Sequence, residues 1–524
     1  MEHGIASTSV STLVWLLATV ILVAVASKYI RIPYTIALTI AGLLIAISDI
    51  NLKIDLTPDI ILFIFLPALL FESSYNLRFA EVRDNVRPIV LLAVPGVLLT
   101  AVCVAAGLHY TTGVGWDTAF LFGAIMSATD PVSVLAIFRK IGAPRRLSVI
   151  LEGESLFNDG TSIVVFRIVL AVVIAHTVGN VVVTIEQFLV VVLGAVALGL
   201  VVGFVVSALL SRVNDYLIET SLTLIVAYGT YLLAEEALGV SGVIAVVVAA
   251  LVLGNYGRVA AMSPTTRLAV SSTWEFFGFL ANSLIFLLIG LELDIEKLAQ
   301  YWPATLVAIG IVLLVRAVVV AAASWVLYHI HRPIPARWQA VLVWGGLRGS
   351  LALALALSIP LTIGVGELFP DRDLILVMTF GVILFSLLVQ GLSMEPLLSK
   401  LGLIDRRDQQ DEYETLSTRK GMVAAALNEI ERMSKVGALT PRMAAELKGQ
   451  YTGELNEVDE NLRDLHLRDE DLSRAHERRV KRRLLLIVKN VVRQRNLDGA
   501  ISEEPMRKLL AELDEEMHTL DEED

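Results

Sequence analysis

One cysteine, Cys103, serves 524 residues, so no intrachain disulfide can form and no cysteine-based zinc site can be built. Nucleotide-binding signatures are missing as well. There is no Walker phosphate loop and no GxGxxG placed after a strand, which removes the usual routes to ATP and dinucleotides. No cofactor is expected, and energy for uphill work has to come from a gradient. Charge is scarce, at 18% of residues against roughly 25% in an average soluble domain. The first apolar run also lacks a cationic flank. Although Ala24 and Ala26 resemble a small-residue cleavage site, no Lys or Arg precedes the run, so it reads as a retained span rather than a signal peptide.

What is present is apolar: 56% of residues are hydrophobic, in long runs. With roughly 20 residues per crossing, the pattern predicts an all-α polytopic membrane protein. About thirteen spans begin near Val10, Pro33, Thr57, Asn85, Asp117, Leu147, Glu186, Tyr216, Ser241, Arg267, Trp302, Trp338 and Asp373. Alternate loops are basic, among them Arg78, Arg83, Arg87, Arg139, Lys140, Arg145, Arg146, Arg332 and Arg337, whereas the other set offers only Lys53, Lys297 and Arg372. By the positive-inside rule the C-terminus is expected in the cytoplasm and the N-terminus outside, in a plasma or inner membrane. Residues 1–404 form the membrane part, and the composition changes abruptly for residues 405–524. That tail reads as amphipathic helices within Met422 to Met433, Leu462 to Val491 and Met506 to Leu513, ending in a disordered acidic run from Asp521 to Asp524. Its basic stretch, Arg478 to Arg495, reads equally as a surface for anionic lipid or the membrane domain and as a solvated helix packed in the tail. No nucleic-acid partner is indicated.

The most informative polar residues are Glu154, Ser155, Asn158 and Asp159. An ionised group in hydrocarbon costs at least ~3 kcal/mol, so such residues normally face a water-filled cavity and handle ions or protons. Asp159 lies about 18 Å along the helix from Leu147, near the middle of a ~30 Å core. Because residues three and four apart stack, Glu154, Ser155, Asn158, Asp159 and Ser162 share one face. In the preceding span, Thr129, Asp130 and Pro131 interrupt the helix at similar depth, since proline removes a donor and disfavours helix before it. The span from Trp338 to Pro360 is interrupted by Gly345, Gly346, Arg348, Gly349 and Ser350. Broken helices 5 and 12 of this spacing fit two inverted repeats of roughly six helices each, crossing beside the helix of Asp159. Asp130 is placed to neutralise a half-helix end.

The runs Ser127-Ala-Thr-Asp-Pro-Val-Ser133, Glu152-Gly-Glu-Ser-Leu-Phe-Asn-Asp-Gly160 and Gly345-Gly-Leu-Arg-Gly-Ser350 resemble those of the monovalent cation/proton antiporter-1 family, the NhaP-type and eukaryotic sodium/proton exchangers. The resemblance covers residues 8 to 400 or so. It implies a homodimer of thirteen-span protomers, each with a dimerisation domain and a core domain that move relative to one another, exchanging Na⁺ or Li⁺ for H⁺. It makes Asp159 the carboxylate that takes either a cation or a proton, with Asn158 as its helix-stabilising neighbour and Ser155 and Thr129 completing the cation's oxygen shell. It pairs Glu154 with Arg348, sets Asp130 at the crossing, and matches Glu72 to an acidic residue that binds or admits the cation. Physically, Na⁺ needs several hard oxygens, and carboxylate, hydroxyl and carbonyl supply them. Because Asn158 stands where electrogenic relatives carry a second aspartate, one Na⁺ for one H⁺ is expected. A K⁺-accepting exchanger of broader selectivity remains an alternative, and a passive cation channel or an intramembrane hydrolase using Asp130 and Asp159 are remoter ones.

Other polar residues carry plainer expectations. Arg167 reads as snorkelling toward the outer interface, with tuning of an outer vestibule as the lesser alternative, Arg316 as a scaffold arginine, and Glu275, Asn282 and Ser283 as glue between helices in preference to lining the funnel. His329 and His331 read as ordinary loop residues.

Overall fold

The computed structural model of the protein describes residues 2–30, 32–48, 58–175, 181–213, 215–258, 262–292, 295–330, 333–363, 367–369, 371–403, 407–436, 438–468, scattered positions between 481 and 496, and 500–522. The chain divides into two compact units, Met1–Asp405 and Arg406–Asp524.

The first unit is built almost entirely of helices: α1 (Glu2–Ile30), α2 (Tyr34–Ile47), α3 (Ile60–Asn76), the short α4 (Phe79–Asp84), α5 (Val86–Thr112), α6 (Trp116–Ile125), α7 (Val132–Ile141), α8 (Arg145–Ala175), α9 (Val181–Leu210), α10 (Tyr216–Leu238), α11 (Gly242–Gly257), α12 (Pro264–Leu291), the short α13 (Ile295–Gln300), α14 (Trp302–Ile330), α15 (Ala336–Trp344), α16 (Ser350–Leu357) and α17 (Arg372–Lys400). Seven of the described helices are long and apolar enough to cross a bilayer, and five shorter apolar helices accompany them. This is an all-α polytopic membrane protein. One small departure from an all-helical chain is a two-stranded hairpin, β1 (Thr362–Ile363) against β2 (Glu367–Leu368), paired Thr362 with Leu368 and Ile363 with Glu367. Proline at position 360 ends the preceding helical pattern, and β-branched Thr362 and Ile363 suit an extended strand.

Packing sorts the helices into two groups. In one, α2 lies against α12, α3 against α11 and α12, and α9 against α11; in the other, α5 packs on α6, α8 and α14, and α17 packs on α14 and α16. Without a hydrophobic drive between helices inside lipid, such contacts depend on close approach of backbones, which small residues allow. The α2–α12 crossing shows this directly. A Cβ on Gly42 would collide with the Leu287 carbonyl oxygen and come within 3.0 Å of Gly290 Cα, and a Cβ on Gly290 would come within 2.7 Å of Leu43 N. On α8, Gly153 and Gly160 likewise leave room for the side chains of Ile89 and Ile244.

The second unit contains α18 (Arg407–Lys435), α19 (Pro441–Arg468) and α20 (Glu503–Glu522). Helices α18 and α19 form a hairpin that buries Val423, Ile430, Val458 and Leu462 and is edged by ion pairs Arg419–Glu454 at 3.0 Å and Lys420–Asp459 at 2.6 Å. The closing acidic run, expected to be disordered, is helical through Glu522, with 523–524 outside the described residues. Helix α20 carries Met506, Leu509 and Leu510 in register, which sustains helix into its acidic end. Arg478 lies outside the described residues; of the basic stretch, Leu484, Ile487, Val488 and Val491 are exposed.

Replacing Gly42 by valine is expected to cost about 1–3 kcal/mol through overpacking. The same change at Gly310, where a Cβ meets nothing within 4 Å, is expected to stay within about 0.5 kcal/mol. Melting midpoints of the two variants in detergent check the contrast.

Candidate functional site

Two helical runs stop inside the bundle and meet there. Between α6 and α7 the chain leaves the helix from Met126 to Pro131, and between α15 and α16 it does so from Gly345 to Gly349. Proline at 131 has no N–H to continue α6, and three glycines soften the second break. The two segments touch through one backbone hydrogen bond, Asp130 N–H to Leu347 O at 2.9 Å.

Backbone groups freed at such depth have to find partners, since lipid offers none. They do. The Thr129 carbonyl accepts from Ser155 Oγ at 2.7 Å, and Ala124 O accepts from Ser127 Oγ at 2.6 Å. In the second break, Leu342 O accepts from Arg316, Trp344 O from Gln390 at 3.0 Å, Gly346 O from Arg348 at 2.7 Å, and Arg348 O from Ser386 Oγ at 3.2 Å. Ser386 and Gln390 belong to a π-helical stretch of α17, Ser386–Gly391, whose wider turn turns both side chains toward the break.

Asp130 works at the other polarity. Its Oδ1 accepts from Val132 N–H at 3.0 Å, and Ser350 N–H lies within reach of the same carboxylate, so one anion serves the N-terminal ends of both α7 and α16. The fit requires glycine at 349, where a Cβ would collide with the Asp130 carboxylate.

Helix α8 runs beside the crossing. Asn158 donates to Thr129 Oγ1 at 2.8 Å and accepts from Ser162 Oγ at 3.2 Å, while Ser162 Oγ also accepts from Ser127 at 2.9 Å. Asn158 therefore locks α8 to the first break. The expected Glu154–Arg348 pair is not what the structure holds. Both Glu154 oxygens are taken by Arg316 of α14, the second contact at 3.0 Å, with the two side chains almost fully buried. Arg348 is equally buried, turns back to Gly346 O, and leaves its Nε without a partner. Its short reach to its own broken backbone, and the better-aligned guanidinium of Arg316, explain the exchange of roles.

A cavity of about 70 Å³ opens beside this lattice, lined among others by Thr129, Asp130, Ser155, Asp159, Glu152 and Asn282. That is room for several waters or a partly hydrated small cation. Four of the expected site residues, Asp159, Ser155, Thr129 and Asp130, meet at its wall; Asn158 and Glu72 do not line it. Among the described residues the Asp159 carboxylate accepts no hydrogen bond, and the charged group acting on it is Asp130. Glu72 accepts from Ser73 at 3.4 Å and from Asn76 at 3.4 Å, toward the far end of α3.

Several plain expectations change. Asn282, read as glue, faces the cavity, and Ser283 Oγ is buried without a hydrogen-bond partner. Arg167 does more than snorkel: it pairs with Glu235, which also accepts from Gly242 N–H at 2.9 Å, tying α8 to the α10–α11 turn. His329 bonds the Trp325 carbonyl of its own helix at 2.9 Å, and His331 lies outside the described residues. Two features were missed from sequence, the pairing of the scaffold arginine Arg316 with Glu154 and the presence of Glu152 in the cavity. For Glu152 a signal existed, since it stands three residues before Ser155 and seven before Asp159 on one helical face.

Because a stranded buried charge is costly, Arg316→Met is expected to destabilise by about 3–5 kcal/mol, and adding Glu154→Met is expected to restore most of that loss. A double-mutant cycle read by melting in detergent should give Glu154 and Arg316 a coupling of ~2 kcal/mol or more, well above that of Glu154 with Arg348.

Comparison with known proteins agrees with this geometry. The family described as "Sodium/hydrogen exchanger, transmembrane" matches residues 15–400. The low-affinity Na⁺/H⁺ antiporter NhaS1 of Synechocystis sp. is 42% identical over 438 residues, 83% of this chain and 82% of that protein. The Na⁺/H⁺ antiporter NhaP of Pseudomonas aeruginosa is 38% identical over 409 residues, 73% of this chain and 94% of that protein. Among solved structures, the sodium proton antiporter MjNhaP1 of Methanocaldococcus jannaschii shares the fold with a TM-score of 0.62 at 21% identity, over 75% of this chain and 99% of that one. A chain whose membrane unit matches along nearly its whole length, and whose motifs assemble into one crossing beside Asp159, belongs to the sodium/hydrogen exchanger family.

Proposed function

We propose that the protein exchanges Na⁺ or Li⁺ for H⁺ across the cell membrane, one for one, with cation and proton competing for Asp159. One observation carries this reading: Asp159 presents an uncommitted carboxylate to an internal cavity that it shares with Ser155, Thr129 and Asp130. Asp159, Ser155 Oγ and the oxygens of Thr129 offer the hard ligands that a small monovalent cation needs in place of water. The two acidic groups at the crossing are otherwise employed: Glu154 holds Arg316, and Asp130 serves two helix ends. Asn158 carries no charge and is bonded on both sides. A single exchangeable carboxylate transfers one charge each way, which favours an electroneutral cycle. The names of NhaS1, ApNhaP and NhaP as Na⁺/H⁺ antiporters point the same way.

The cycle runs by alternating access. The protonated carboxyl and the cation-loaded carboxylate are both neutral overall, so either can cross while the bare anion is held back by its desolvation cost. Thirteen spans arranged as inverted repeats, with the fifth and twelfth broken, put the site at the repeat interface. In the membrane the N-terminus lies outside and the tail in the cytoplasm, on the side of the basic loops. The protein acts as a homodimer, draws on no cofactor, and sets the basic stretch that ends at Arg495 near anionic lipid.

In everted vesicles with a preset pH gradient, adding Na⁺ or Li⁺ should dissipate the gradient, and Asp159→Asn should abolish the response. Competition has a second signature: on the acidic side the apparent KM for Na⁺ should rise about tenfold per pH unit at constant maximal rate, by mass action at one site. A falling maximal rate at constant KM would refute a shared site, as would full transport by Asp159→Asn.

A further inference from the structure

Glu152 is a cavity-lining carboxylate to which the exchange cycle assigns no task. It projects from the same face of α8 as Ser155 and Asp159, about 10 Å nearer the Arg145 end of the helix than Asp159. Among the described residues it enters no hydrogen bond or ion pair, whereas Glu81, at the same end, is held by Arg145 at 2.7 Å. The charged groups that act on it are Arg139 of α7, Arg145 of its own helix, Glu72 of α3 and Glu81 of α4. An enclosed carboxylate without a partner is costly to keep unless water or a cation visits it. Glu152 and Asp159 line one cavity in common, of about 70 Å³.

We infer that Glu152 is the cytoplasmic docking carboxylate of the cation path, holding the incoming, partly hydrated Na⁺ one step before Asp159. This rests on the reading of Asp159 as the exchange site and on the proposed orientation. Docking keeps the cycle balanced: Glu152 carries the same charge before and after each passage, and nothing crosses the membrane with it. Its place toward the basic end of α8 makes the role one-sided. A cation arriving from the opposite face would meet Asp159 without passing Glu152.

The test compares Na⁺ titrations of the full chain from each face, in everted and right-side-out vesicles. Glu152→Gln should raise KM from the cytoplasmic face about three- to tenfold, the loss expected for one nearby charge across partly hydrated protein. KM from the outer face should change less than about twofold, and the cytoplasmic effect should shrink as ionic strength is raised with choline chloride. Glu152→Asp should recover most of the affinity. The outer-face titration also shows that the variant is folded and inserted. An unchanged cytoplasmic KM, or an equal rise from both faces with a lower maximal rate, overturns the docking role. If that happens while Asp159→Asn is silent, the exchange reading stands alone; if Asp159→Asn still exchanges, the reading beneath the proposal fails.

Discussion

Two helices end in the middle of a membrane, and every open backbone group at those ends needs a partner that lipid cannot provide. The rest of the site follows from how this chain meets that demand. Helix ends carry opposite partial charges, positive where N–H groups stand free and negative where carbonyls do. The chain sets an anion, Asp130, between the two N-terminal ends, and cations, Arg316 and Arg348, on carbonyls of the second break. Glu154 then balances one of those cations. Four ionisable groups are thus spent on structure within a few turns of one another.

That expenditure leaves Asp159, beside the crossing, as a carboxylate that accepts no hydrogen bond among the described residues. Here the neighbours of Asp159 are each tied: Asn158 to Thr129 and Ser162, Ser155 to the Thr129 carbonyl, Asp130 to helix ends. The lattice also fixes the Ser155 hydroxyl and the Thr129 oxygens on the wall of the cavity that Asp159 lines. Preorganisation of this kind favours a small ion, because the oxygens do not have to be gathered at the moment of binding.

Much of this was legible in the sequence, for identifiable reasons. Hydrophobic run length marks helices because lipid leaves so little freedom. The expected starts at Tyr216 and Trp302 coincide with those of α10 and α14, and most others fall within five residues. The two breaks were visible because proline and glycine act locally, at Pro131 and at Gly345, Gly346 and Gly349. What was not legible depends on rotation between elements far apart in sequence. Arg316 and Glu154 are separated by 162 positions, and no periodicity within α8 or α14 says which arginine faces the carboxylate. The π-helical stretch at Ser386 is equally silent, since one extra residue in a turn leaves the apolar pattern intact. For Asn282, which faces the cavity, glue is the favoured reading over funnel lining, because a lone amide on an apolar helix looks the same whether it faces a neighbour or a cavity.

The division of the cavity wall bears on movement. The committed polar lattice, on α6, α7, α8, α14, α16 and α17, lies within the group of helices that includes the crossing, but the opposite wall is Leu66, Leu69, Leu70 and Ser73 of α3 with Asn282 of α12. That wall is mostly leucine. Apolar side chains have no directional bonds to break when surfaces slide, whereas each bond of the crossing would leave a buried polar group unpaired. The polar ties between the two groups are few in the described residues: Thr35 to Ser133 at 2.9 Å on α2 and α7, and Arg167 to Glu235 on α8 and α10. Sliding one group past the other would break such ties, whereas the bonds of the crossing lie within one group.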